Sequence, residues 1–107
     1  VENMAYFTPE ELPNNKYYIF GKQGAQNLAN ELQVPFLGEI PLVQSVREAG
    51  DVGRPAVLQE TTEIAKKFKA MTTRVVEELV KRNDQLPPTE VVRITTMAGC
   101  APKTQNA

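Results

Sequence analysis

The order of apolar runs predicts an α/β chain, the C-terminal portion of a doubly wound domain with a parallel sheet. Three observations carry that expectation. The mostly continuous apolar run at 34–40 has the length and composition of a strand covered on both faces. The stretches on either side of it, 22–33 and 61–82, space their apolar residues every three to four positions, as amphipathic helices do. Strand, helix, strand, helix, helix is the order in which a doubly wound domain finishes.

Val1 reads as lying at the end of a strand, and the missing initiator methionine suggests that something has been cut away upstream. Two prolines and the pair Asn14-Asn15 mark 5–15 as a surface loop. Tyr17-Tyr18-Ile19-Phe20 is aromatic and β-branched, which suits a short strand or, as the favoured reading, a buried anchor returning the loop to the core. Ala25, Leu28, Ala29 and Leu32 share one face of the first helix. Pro35 fits only the start of the 34–40 strand, and Pro41 ends it. Leu42, Val43, Val46 and Ala49 then form a short helix that Gly50 can stop in the left-handed conformation.

Thr61 or Thr62 can cap the long helix, with Glu63 in its first turn. Its expected buried face is Ile64, Phe68, Met71, Val75 and Leu79, and Glu63/Lys67, Glu77/Lys81 and Glu78/Arg82 are i,i+4 pairs. Pro87-Pro88 closes it. The chain therefore divides into a domain segment, 1–84, and a proline-marked linker and tail, 85–107. Within that tail Thr89–Met97 is β-prone, an extra edge strand or a peptide held only in a larger assembly.

Twelve Lys and Arg against thirteen Asp and Glu leave a net charge of −1, which argues against a nucleic-acid partner. No apolar run approaches the roughly 20 residues that span a bilayer, so no membrane partner is expected and the cytoplasm is the expected compartment. The chain has no histidine, one cysteine and one serine, Ser45. A Ser/His or Cys/His nucleophilic pair, a zinc finger and a disulfide framework cannot be built from that set within one chain.

Three blocks in order carry a resemblance: Val1-Glu2-Asn3-Met4-Ala5-Tyr6-Phe7, then Ile19-Phe20-Gly21-Lys22, then Val34-Pro35-Phe36-Leu37-Gly38-Glu39-Ile40-Pro41-Leu42 running into Val46-Arg47-Glu48-Ala49-Gly50-Asp51. Together they resemble the C-terminal third of the Mrp/ApbC family, ATP-binding iron–sulfur cluster carriers related to the MinD and ParA ATPases. The resemblance covers about 1–82. It implies a P-loop NTPase fold whose GKGGVGKS-type phosphate loop lies upstream of Val1, in a missing N-terminal portion, with ATP and Mg²⁺ bound by the full-length parent. Gly21-Lys22-Gln23-Gly24 lacks the Lys-Ser/Thr ending a phosphate cradle needs, so Lys22 reads as a loop-to-helix junction.

What the resemblance implies for this segment is the base-binding end of the nucleotide site. Asn3 matches the asparagine that hydrogen-bonds adenine, and an amide offers a donor and an acceptor in one plane. The bland alternative is an Asn that caps a turn before Met4. Pro41, Leu42 and Val43 follow the second strand, in the loop that closes over the base, as wall more than as specific contacts. The family also implies a homodimer sharing one cluster through Cys-x-x-Cys pairs, with apo iron–sulfur proteins as partners. Here the interval 8–18 holds no cysteine, which makes an iron–sulfur cluster doubtful. Glu10 and Glu11 are poor substitutes for thiolates and read as solvated loop charges. Cys100 is the one thiol left to donate a cluster ligand, against the plainer reading of an incidental tail cysteine.

The expected function is thus the C-terminal segment of an Mrp-type ATPase that carries or assembles iron–sulfur clusters, with no catalytic residues of its own. The alternative is a non-enzymatic interaction module that docks a partner through the 61–82 helix or the 89–97 segment. Thiol chemistry at Cys100 is a weaker third idea, because the nearest sequence cation is Lys103 and no resolving cysteine exists.

Overall fold

The computed structural model describes residues 1–93. Strand β1 (Glu2–Phe7) leads through a loop to helix α1 (Gly24–Leu32), strand β2 (Glu39–Leu42), helix α2 (Gln44–Asp51), a 3-10 turn at Ala56–Leu58, and helix α3 (Glu63–Gln85). The two strands pair in parallel, Glu2 with Glu39 and Asn3 with Ile40. The chain is therefore α/β with a small parallel sheet, and α1 supplies the crossover a parallel pair requires.

Strand β1 runs on past the point where the sequence ends it. Asn3 is the second residue of β1, not its last. Regular pairing nevertheless stops there: Met4 takes φ 54, and the next register pair is Phe7 with Leu42. Four steps along β1 match two along β2, so β1 bulges. The bulge explains why the neighbours Ala5 and Tyr6 are both buried, at 4% and 6% exposure, where a flat strand alternates.

Strand β2 is shorter and later than the apolar run suggests. Residues 34–38 form no strand. Pro35 removes a ladder donor and Gly38 takes φ 141, so extended pairing begins only at Glu39. Pro41 lies inside β2 and does not terminate it. With β1 as the only strand paired to β2 among the described residues, Pro41 can turn its missing donor to the unpaired edge.

Because Leu42 is held in the sheet, α2 starts at Gln44 and not at Leu42, and it runs through Gly50 instead of stopping there. The left-handed turn falls at Gly53, φ 67. In α3, Thr62 is the cap: its Oγ1 accepts from the Ala65 N–H at 3.3 Å, and Glu63 occupies the first turn. The ion pairs form at i,i+3, Glu63 to Lys66 and Glu78 to Lys81, both 2.6 Å, and not at the expected i,i+4 spacing.

The core is small: Ala5, Tyr6, Ala29, Ile40, Ala49, Ile64 and Ala65. Only the first turns of α3 reach it, so Val75 and Leu79 are exposed where the helical pattern expects them buried. Leu28 and Leu32 on α1 are 53% and 63% exposed. Tyr17 exchanges two backbone hydrogen bonds with Phe7, at 2.8 and 2.9 Å, but Ile19 and Phe20 stay exposed, so 17–20 is neither a strand nor a buried anchor. A single backbone bridge ties this loop to β1. Residues 89–93 of the β-prone tail are irregular, with Val91 and Val92 almost fully exposed. The rest of the expected edge strand and Cys100 lie outside the described residues.

Candidate functional site

Parallel strands of an open α/β sheet present their ligands beyond their carboxyl ends. Here that end is built by the bulge at Met4, the end of β2 at Pro41-Leu42 with Val43 leading into α2, and the start of α3. Two depressions open on it, and Pro41, Leu42 and Val43 line both.

The smaller one, about 250 Å³, brings together Asn3, Pro41 and Leu42 with Met4, Arg47 and Phe68. The three residues singled out from the sequence thus share one surface, although Asn3 lies 37 positions from Ile40, its partner across the strands. Asn3 is exposed and Phe68 half-buried. Asn3 is the last regularly paired residue of β1 before the Met4 bulge, so its side chain sits where the ladder breaks. Such a site offers an in-plane donor and acceptor beside an apolar floor, which is what a planar heterocycle with polar edges needs.

The larger depression, about 780 Å³, lies under the loop that follows β1. Tyr6 forms its base, with the Lys16 ammonium 4.4 Å and the Lys67 ammonium 5.8 Å from the ring centroid. Tyr18 meets Tyr6 edge-on at 6.2 Å and carries Lys22 at 5.1 Å on its own ring. That contact gives Lys22 a packing role beside Tyr18. Gln44 and Ser45 line the cleft from the start of α2, whose cap residue Val43 has no side-chain bond to offer the first turn. Glu63 lines it from α3, and the hydrogen bond and charge of Lys66 hold its carboxyl below the ordinary value of 4.5.

Sequence reasoning missed Tyr6, Lys16, Lys67 and Arg47. Lys16 is in a loop and Lys67 on a helix 51 positions later, so no spacing rule joins them. Arg47 did leave a signal, an i,i+4 relation to Asp51. Glu10 and Glu11 are exposed loop residues, as the sequence suggests. Among the described residues no group of three or more His, Cys, Asp or Glu side chains is placed to hold a metal, and no helix is long and apolar enough to cross a membrane.

Comparison with known proteins decides the family. The family model described as ParA, NUBPL iron-transfer P-loop NTPase, matches residues 1–76. The chain belongs to this family. It is 47% identical over 60 residues to an iron-sulfur cluster carrier protein of Synechocystis, which covers 56% of this chain and 17% of that protein. It is 36% identical over 87 residues to the iron-sulfur cluster transfer protein NUBPL of Dictyostelium discoideum, 79% of this chain and 27% of the relative. It is 43% identical over 79 residues to the iron-sulfur cluster carrier protein of Pyrococcus horikoshii, 74% and 26%. The chain thus spans no more than about a quarter of the length of these curated relatives. The small parallel sheet is consistent with a piece of a P-loop NTPase.

Proposed function

We propose that this chain is the C-terminal, base-binding segment of an ATP-dependent iron–sulfur cluster carrier, without catalytic activity by itself. The observation that carries the reading is the meeting of Asn3, Pro41 and Leu42 in one depression at the carboxyl end of the sheet. Asn3 would hold the polar edge of adenine while Pro41 and Leu42 wall its apolar face. The residues present fit the base. They do not fit the phosphates or Mg²⁺, because the chain contains no glycine-rich loop ending in Lys-Ser or Lys-Thr. In the full-length parent those groups belong to the upstream portion, which would also cover the exposed faces of α1 and α3.

The cluster is cargo in this scheme, and the chain's own donors do not fit it. Residues 1–93 contain no thiolate, and Cys100 is the only one in the chain. Cluster ligation would therefore fall to other parts of the parent, with one Cys100 per subunit of a homodimer as the most this segment adds. Apo iron–sulfur proteins are the corresponding partners, in the cytoplasm.

A fluorescent adenine nucleotide titrated against the chain tests the reading. Asn3→Ala is expected to raise Kd about tenfold, the effect of leaving one polar edge of the base unpaired. Unchanged affinity in that variant, or no saturable binding by the native chain, would refute base binding here. Sequencing the coding region directly upstream of Val1 tests the other half. A GKGGVGKS-type loop in frame supports the ATPase parent, and a start codon close to Val1 favours the interaction module, for which the exposed α3 face would be the docking surface.

A further inference from the structure

We propose that Arg47 is a specificity-determining residue of the smaller depression, covering a purine base with the plane of its guanidinium. The inference rests on the base-binding reading above and adds a residue to it. Arg47 lines the same depression as Asn3 and Phe68. Its Nη1 donates to Asp51 Oδ2 at 2.9 Å and its Nη2 to Glu48 Oε1 at 3.4 Å. Glu48 is held in turn, accepting from Gln44 Nε2 at 2.7 Å. Two α2 carboxylates thus hold the guanidinium along its edge, and Gln44 steadies one of them.

That grip has two consequences. A planar fork bonded along its edge, its side chain still 64% exposed, leaves surface that can stack on an aromatic ring in a way a lysine ammonium cannot reproduce. Two carboxylates already engage Nη1 and Nη2, so what remains on offer is the flat face of the cation more than a bidentate phosphate clamp. Asn3 can read the edge of a base but contributes nothing to its face. The volume, about 250 Å³, lies just below the 300–1,000 Å³ typical of drug-sized ligands, which suits one heterocycle better than a whole nucleotide. The ligand class is the purine base of a nucleoside or nucleotide, bound independently of its phosphates.

Adenosine, which carries no phosphate, separates stacking from charge. Amide chemical shifts of the chain are followed during an adenosine titration at low and high salt. The expected result is saturable shifts around Asn3 and Phe68, an affinity insensitive to salt, and about a two- to fivefold weakening in both Arg47→Lys and Arg47→Gln. Unchanged α1 shifts in each variant establish that the fold is kept. If Arg47→Lys binds adenosine as the native chain does while Asn3→Ala does not, the role of Arg47 is refuted and base binding stands. If the native chain shows no shifts at the depression, both fall.

Discussion

Replacing Thr62 by alanine tests whether the start of α3, which forms one wall of the larger depression, depends on a single hydroxyl. That oxygen accepts from the Ala65 N–H at 3.3 Å and donates to the Gln59 carbonyl at 2.8 Å. The two bonds do not count equally. The Gln59 carbonyl also accepts from the Thr62 N–H at 3.0 Å, so it keeps a partner in the variant. Ala65 has 0% exposure, so its N–H loses its acceptor where water does not easily replace it. The loss therefore belongs in the upper half of the range for N-caps, about 1–2 kcal/mol. With a urea dependence of about 1 kcal/mol/M for a chain of this size, the unfolding midpoint followed by circular dichroism falls by about 1–2 M. Thr62→Ser keeps the oxygen and recovers most of the loss. A midpoint for Thr62→Ala within about 0.3 M of the native chain, or Thr62→Ser as unstable as Thr62→Ala, would refute the capping argument.

Two further outcomes follow from the geometry. Glu63 titrates below its ordinary 4.5 because Lys66 hydrogen-bonds and neutralises it, so its contribution is complete above pH 4.5 and is lost as pH falls through the lower folded value. The stability difference between the native chain and Glu63→Gln should therefore be present at pH 7, shrink below pH 4.5, and shrink in 1 M salt, as urea midpoints across pH will show. Gly38→Ala should destabilise the chain by more than about 1 kcal/mol, because φ 141 strains any L side chain while the added Cβ meets only Arg74 Nη1, at an ordinary 3.6 Å. An alanine variant with unchanged stability would show that the turn into β2 relaxes.

The helices were legible because their signals are local. Thr62 before Glu63, the spacing from Ile64 to Met71 and the double proline at Pro87 place α3 within a few residues of where it lies. The strands were less so. An apolar run announces burial but not pairing, and pairing in β2 is decided by Pro35, Gly38 and the partner strand's bulge at Met4. Burial was misjudged where periodicity alone carried it: Leu28, Leu32, Val75 and Leu79 keep helical spacing, but no element among residues 1–93 packs over them and they stay exposed.

The candidate site divides along the same line. Asn3, Pro41 and Leu42 were accessible through the sequence blocks of the family, and the strand pairing then places them together without further tuning. Tyr6 with Lys16 and Lys67 is a product of the bulge. Had β1 continued flat, alternation would turn either Ala5 or Tyr6 away from the core, and the two would not be buried together. The left-handed Met4 thus does two things at once. It makes Asn3 the last regularly paired residue on one side and buries Tyr6 beneath two lysines on the other, so a strained residue with φ 54 marks the boundary between the two depressions.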